Sequence, residues 1–315
     1  MHRIRREEPF HSAADDCRTE DGFIVVAVLW ILAALAALVM IYLTYVTNTA
    51  VVVSGTTDRL QIDALATAGV ELAAYRLGTF QKDLRPSSGG FRSRIGSAEI
   101  SVAFRSEASR IDLNAAPKEL LAGLMIGLGV TASNAAGYAD RIDAWRTPGT
   151  AAASDSENAF YRAAGVAYLP RHAPFPQVEE LWLVHGIPSF LIERMLPFVT
   201  VFGGGASVNI LDAAPQVVAA LPGMTPDRLQ TVLSGRDDPR MDPQSLLGLA
   251  GGDASIAGSG SYRLTIGIGL DGGRKANVEV IILLLDDGDE PYRILSWRNG
   301  SDGSFAPPSG QAGGR

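Results

Sequence analysis

From Phe23 to Thr57 the chain carries no charged side chain, and the run opens Phe23-Ile24-Val25-Val26-Ala27-Val28-Leu29-Trp30. Roughly 35 residues exceed the ~20 that a helix needs to cross a bilayer. A membrane segment over 23–57 is therefore expected, with a polar leader, 1–22, in front of it. Arg3, Arg5, Arg6 and Arg18 precede the run and only Arg59 lies close behind it. The positive-inside rule then keeps the leader cytoplasmic and puts everything downstream across the membrane. An ordinary secretory signal has a much shorter apolar stretch and a small-residue cleavage site after it. A lipoprotein needs small apolar residues before its cysteine, but Cys17 follows Ala13-Ala14-Asp15-Asp16. A twin-arginine signal needs more than Arg5-Arg6 followed by Glu7-Glu8-Pro9. A plain signal anchor stays open beside the reading developed below.

Cys17 is the single cysteine of the 315 residues, so no disulfide can form downstream and the exported part must rest on its core. The net charge of −7 argues against nucleic acid as the partner, because that affinity leans on basic patches.

Past the membrane segment, Leu60, Ala64, Ala68, Leu72 and Tyr75 recur at helical spacing, which predicts an amphipathic spine helix over 58–84. Pro86-Ser87-Ser88-Gly89-Gly90 reads as its breaker. Residues 95–104 alternate, with Ala98, Ile100, Val102 and Phe104 apolar, as a half-buried strand does. Tyr262, Leu264, Ile266, Ile268 and Leu270 alternate again, and Asp271-Gly272-Gly273 supplies a hairpin turn. Residues 276–285 and 292–297 complete an antiparallel meander. The expected fold class is α+β: a pilin-like membrane and spine helix with a small antiparallel sheet, interrupted by an inserted all-α domain. The boundaries are 1–22 leader, 23–57 membrane part, 58–109 first part of the sheet domain, 110–255 insertion, 256–298 closing strands and 299–315 a disordered tail.

The insertion repeats itself. Arg110-Ile111-Asp112-Leu113-Asn114-Ala115-Ala116-Pro117 is echoed by Val208-Asn209-Ile210-Leu211-Asp212-Ala213-Ala214-Pro215. In each copy an extended piece meets an Asn or Asp taken as helix cap, with proline near the first turn. Leu120, Leu121 and Leu124 follow in one copy; Val217, Val218 and Leu221 follow in the other. Glycine turns come next, at Gly127-Leu128-Gly129 and Pro222-Gly223-Met224, and a third turn stands at His185-Gly186 after Val178-Glu179-Glu180-Leu181-Trp182. This is the pattern of helix-hairpin-helix, or SAM-like, repeats. A DNA-binding version would surround its glycine turns with bases facing phosphate. Here Arg228, Arg236 and Arg240 are outnumbered by Asp212, Asp227, Asp237, Asp238 and Asp242, and acids also exceed bases from Arg110 to Thr200. Protein packing is the better use of these repeats; a membrane-tethered DNA receptor is the alternative from another class.

The junction Gly22-Phe23, with an uncharged helix after it, resembles a type IV prepilin leader. That resemblance implies peptidase cleavage between Gly22 and Phe23 and N-methylation of Phe23. Such subunits normally carry glutamate at the fifth mature position, and here that position is Ala27. An unpaired carboxylate inside an apolar core costs a few kcal/mol, so its loss suits a subunit with no neighbour above it. The order of segments, Arg110-Ile111-Asp112-Leu113-Asn114-Ala115, then Val178-Glu179-Glu180-Leu181 with Gly186-Ile187, then 198–202 leading to Val208-Asn209, resembles type II secretion system protein K, the large minor pseudopilin. The resemblance runs from the leader to Trp297. It implies a non-enzymatic subunit at the tip of a periplasmic pseudopilus, anchored in the bacterial inner membrane by a single pass with its C-terminal domain periplasmic. The implied partners are minor pseudopilins of the H, I and J types, the major pseudopilin, the inner-membrane assembly platform and the prepilin peptidase. A minor pilin of another type IV filament is the neighbouring alternative.

No catalytic set stands out: His2, His11, His172 and His185 are isolated. Some relatives hold calcium near an acidic loop, which makes Asp155 and Glu157, in a loop with Asn158, the candidate ligands. The comparable neighbourhood here reads Ala144-Trp145-Arg146-Thr147, where acids are frequent in the family. Calcium takes six to eight oxygens, so the expectation is no cofactor, with calcium as the secondary option.

Overall fold

The computed structural model describes residues 20–271, 273–287 and 290–300; for 20–23, 46–58, 83 and 151–153 it gives the backbone alone. Most of the leader, with Cys17, His2 and His11, and the tail from 301 onward lie outside the described residues. The chain divides into two compact units at Gln61/Ile62.

Helix α1 runs Glu20–Gly78. In the first unit, Ile24–Tyr45 has a mean hydropathy of 3.1 and buries nothing. Within it the Thr44 hydroxyl donates to the Met40 carbonyl at 2.8 Å, the usual way a helix satisfies a hydroxyl without water.

In the second unit α1 is followed by β1 (Ser88–Ile95) and β2 (Ala98–Ser106). The chain then passes through β3 (Ile111–Asp112), α2 (Lys118–Gly127), α3 (Ala132–Arg146), α4 (Ala151–Ala163), a 3-10 helix at Val178–Leu183, α5 (Ser189–Met195) and β4 (Val199–Thr200). Next come β5 (Val208–Asn209), α6 (Pro215–Ala219), α7 (Pro226–Gly235), α8 (Pro243–Ala250) and β6 (Ala254–Ser255). It ends in β7 (Ser261–Gly269), β8 (Lys275–Leu284) and β9 (Tyr292–Gly300).

Five strands form one antiparallel sheet in the order β1-β2-β7-β8-β9. The period-2 reading places the right residues inside: Ile100, Val102, Leu264, Ile266, Ile268, Val278, Val280 and Ile282 are all buried. They pack on α1 through Leu65, Ala66, Val70, Ala73, Ala74 and Leu77. That is not the stripe expected from the sequence. Leu60 and Tyr75 of the expected stripe are 71% and 73% exposed. The physical reason is size. Alanine and glycine let the helix axis approach the sheet; a Cβ on Gly69 would lie 3.0 Å from Ile266 Cγ2. Leu65, Val70 and Leu77 fill the space beside that close approach, and Tyr75 is left on the far face.

Two further departures concern glycine and the tail. Ser88-Gly89-Gly90 is not a breaker but the start of β1, paired with Phe104, Arg105 and Ala103 of β2. Glycine is required there because a Cβ on Gly89 would lie 2.7 Å from the Phe104 ring, and one on Gly90 2.9 Å from the Val102 carbonyl. Asn299 and Gly300, assigned to the tail, belong to β9 and pair with Val278 and Asn277.

The insertion lies between β2 and β7 and encloses its own apolar core, from Ile111, Leu120 and Leu121 to Val217, Val218 and Leu246. It is not all-α. β3 pairs with β4 and β5 with β6, each in parallel. Two-residue strands paired across such separations leave no local pattern to read. The caps also differ. The residues before α2 and α6 are Pro117 and Ala214, neither with a side-chain cap. Asp112 and Asn209 instead accept from the amides two residues on, Asn114 and Leu211, which turns the chain before the helix starts.

Candidate functional site

The surface most in need of a partner is on α1. Among its described residues Ile24 to Tyr45 are apolar or aromatic with few exceptions, and Trp30, Met40 and Ile41 are more than 70% exposed. Water would oppose that exposure at about 25 cal/mol per Å2, so lipid or other apolar helices must cover it. Ala27 lies in this stretch and offers only a methyl group where a carboxylate was considered. The Gly22–Phe23 junction is helical in backbone, and its side chains are outside the described residues.

In the second unit the outer face of α1 carries exposed Ala64 and Tyr75, with half-buried Ala68 between them. Glu71 beside it accepts from the Tyr292 hydroxyl at 2.8 Å. Burial and then Glu71 push the Tyr292 phenol up to about 12.

A second feature sits where the chain leaves and re-enters the sheet. Ser106 and Ser259 join the two crossings: the Ser259 amide donates to Ser106 Oγ at 2.8 Å, and the hydroxyls stand 3.1 Å apart. Beside them Glu107 is 1% exposed. Arg263 of β7 donates to both its oxygens, at 2.8 and 3.2 Å, and to Glu279 of β8 at 2.6 Å. Thr200 of β4 adds a short hydroxyl contact. Burial alone would raise the Glu107 carboxyl, but the charges and donors of Arg263, with Arg110 and Thr200, hold it below its ordinary value. Burial and the Arg263 charge lower Arg110 to about 10. Two cations and two anions thus tie both crossings, β4 and β8 into one neutral cluster, which is how buried charge is tolerated. The sequence hinted at it only through Arg263 and Glu279, charges inside otherwise alternating strands; nothing local marked Glu107.

A cleft of about 340 Å3 borders this cluster, lined by Val178, Phe202, Ile281 and Trp297 among others. Its buried cation, Arg263, already commits a donor from each of its three nitrogens to Glu107 and Glu279.

The three glycine turns are formed by Gly129, Gly186 and Gly223, with φ of +95°, +86° and +74°. A left-handed backbone of this kind favours glycine. An arginine stands near each of them. Arg141 stacks on Phe160 at 4.0 Å and donates to the His185 carbonyl. Arg228 donates to the Gly223 carbonyl, and Arg194 lies near Gly129. His185 is a turn residue packed against Phe160 and Tyr161, and its amide donates to the Tyr161 hydroxyl. His172 adopts a positive φ of 50° and contacts the Ala144 carbonyl.

Asp155 and Glu157 do not lie in a loop, as expected, but on α4. The Ala-rich segment there has enough helix propensity to close over Trp145 through Tyr161. Two positions apart, they point to different sides of the helix. Asp155 is exposed. Glu157 Oε1 and Asn158 Oδ1 are buried acceptors without a partner, yet among the described residues no three acidic, histidine or cysteine side chains converge. One carboxylate and one amide fall short of the oxygen set calcium demands, so these residues do not fit that ion.

Comparison with known proteins gives two findings. Residues 103–204 match the family model of type II secretion system protein K. A chain in the crystal structure of the GspK-GspI-GspJ complex from the enterotoxigenic Escherichia coli type 2 secretion system has a similar fold, with a TM-score of 0.56 and 17% identity. The match covers 78% of the present chain and 98% of that one. No curated protein matches. The two findings support a type II secretion protein K.

Proposed function

We propose that this chain is a minor pseudopilin of a type II secretion system, held in the bacterial inner membrane by Ile24–Tyr45 with its folded part in the periplasm. The observation that carries the reading is one helix with two faces of use. α1 exposes an apolar stretch long enough for a membrane, and its later turns are the spine of an antiparallel sheet. The family match over 103–204 adds the system. The chain is a structural subunit, cut by the prepilin peptidase between Gly22 and Phe23 and N-methylated on Phe23, and not itself an enzyme. Its glycine-turned helix pairs are helix-hairpin-helix units used for packing.

The partners are other minor pseudopilins, as in the GspK-GspI-GspJ complex, and, through the membrane helix, the major pseudopilin and the assembly platform. Ala64, Ala68 and Tyr75 form the face of α1 on which a partner helix packs. Two features support a place at the filament tip: Ala27 brings no carboxylate to pair with a subunit above, and an insertion of this size between β2 and β7 would clash with a subunit stacked on it.

N-terminal sequencing and mass spectrometry of the form purified from membranes test the reading. A start at methylated Phe23 supports it; a start at Met1 or a cut near residue 50 sinks it. Co-expression with minor pseudopilins of the I and J types then separates a secretion subunit, which forms a ternary complex, from a pilin of another filament system, which does not.

A further inference from the structure

The echo within the insertion is structural, and its register is sharper than the shared prolines suggested. A constant offset relates Asp112 to Asn209, Leu113 to Ile210, Ala116 to Ala213, Leu120 to Val217, Leu121 to Val218 and Leu124 to Leu221. Each pair does the same job. The Asp112 and Asn209 side chains accept from the amides two residues on, at 2.8 and 2.9 Å. Their carbonyls accept from the Ala116 and Ala213 amides, at 2.8 and 3.0 Å. Leu113 and Ile210 donate to the Thr200 and Ser255 carbonyls of the paired parallel strands, at 2.8 and 2.9 Å. The prolines fall one step apart in this register: Pro117 caps α2, while Pro215 opens α6.

The copies meet at their own equivalent positions. Gly123 of α2 corresponds to Ala220, which ends α6, and a Cβ on Gly123 would lie 2.2 Å from the Ala220 carbonyl oxygen. Contact between a position and its own counterpart marks a two-fold arrangement.

Each copy is also closed by an arginine at the end of its second helix. Arg146, ending α3, donates to the Leu113 carbonyl at 2.6 Å and the Ala116 carbonyl at 2.8 Å, and pairs with Asp143. Its side chain is 10% exposed. Arg236, following α7, donates to the Ala213 carbonyl at 2.7 Å. Ala116 and Ala213 are equivalent, so one carbonyl is held by one guanidinium in both copies. Two carbonyls and a carboxylate around a buried positive centre are the oxygen set a hard metal ion would gather. A guanidinium supplies the charge with directed donors and cannot be titrated away.

We infer that the guanidinium of Arg146, matched by Arg236 in the second copy, is a built-in cation that makes a divalent ion unnecessary for folding. The inference stands apart from the secretion reading, because it concerns only how 110–255 holds itself together.

Thermal melting and hydrogen exchange of the full chain in detergent test it. Melting should be the same in EDTA, calcium and magnesium. Arg146→Gln should lower the melting temperature and speed exchange across 111–117. Arg236→Gln should speed exchange across 208–214. Arg146→Lys should recover part of the loss, since an ammonium cannot span both carbonyls in the fixed fork of a guanidinium. A melting temperature that falls in EDTA and returns with calcium overturns the inference. So does a glutamine variant whose own segment exchanges at the wild-type rate. Should Arg146→Gln fail to fold, the chelator arm and Arg236→Gln still decide the matter.

Discussion

In the five-stranded sheet every strand is eight to ten residues long and paired along its length. In the insertion every strand among the described residues is two residues long, and helices meet through a glycine, a few carbonyls and two arginines. The sheet spreads its stability over many equivalent bonds. The insertion has few bonds between strands and depends on its apolar core, whose helices are fixed in place by a small number of polar contacts. A single substitution should therefore be absorbed in one region and felt throughout the other, unless it strikes the charged cluster that both share.

The largest effect is expected at that cluster. Glu107→Ala leaves Arg263 and Arg110 buried with one anion fewer, and loss of one partner from a buried ion pair costs about 3–5 kcal/mol. Denaturant unfolding should show both regions weakened together; a loss confined to the insertion would break the idea of a shared joint. Gly123→Ala comes next. The new methyl meets the backbone oxygen of Ala220, which can yield only by moving α6, and overpacking of this kind costs about 3 kcal/mol at the upper end of the usual range. Its counterpart in the sheet region, Gly69→Ala, meets the Ile266 side chain at 3.0 Å, which can shift, so about 1 kcal/mol is expected. Equal losses for the two glycines would erase the contrast.

A pH titration should show a smaller effect, because carboxylates in the two regions oppose each other. Glu107 is held below its ordinary value by the arginines around it. Its stabilisation is present above the ordinary glutamate value and is lost as pH falls through the lowered one. Asp112 is held above its ordinary value by burial, against the amides of Asn114 and Gly204 that it accepts from. Its contribution is present below the ordinary aspartate value and is lost as pH rises through the raised one. Carboxyl NMR should show Asp112 titrating above the ordinary aspartate value and Glu107 below the ordinary glutamate value; a shift in the opposite direction at either group would refute its assignment. Least is expected of Arg298→Ala. It removes an ion pair to Glu179 whose partners are 48% and 40% exposed, worth about 0.5 kcal/mol by urea denaturation. A loss above that of Gly69→Ala would show that the cleft beside it matters more than its exposure suggests.

The sequence made the sheet region readable where alternation was unbroken, as in β7 and β8, and failed where a side chain was missing by necessity. Gly89 and Gly90 look like a break because the residues that need their absence of Cβ, Phe104 and Val102, lie on the next strand. The stripe on α1 was misread for a related reason. Hydrophobic size is visible in a sequence, whereas the distance at which a helix packs on a sheet is not. In the insertion the echo was visible but not its register, since shared prolines catch the eye before shared carbonyls do. For the candidate site, the exposed apolar helix was plain from its composition. The cluster around Glu107 was not, because its members come from four separated segments and only Arg263 and Glu279 interrupt a local pattern.

The joint at Ser106 and Ser259 has a consequence for the order of events as the chain is made. Those residues are 153 positions apart, and β2 cannot pair with β7 until the chain between them has emerged. Closing so long a loop from a disordered chain is entropically costly and slow. The insertion, whose helix pairs α2–α3 and α7–α8 are local in sequence, can condense first and bring the two ends together. On that account it serves as the clamp that times sheet assembly. Pulse-labelled exchange during refolding should find Leu120 and Val217 protected before Ile266.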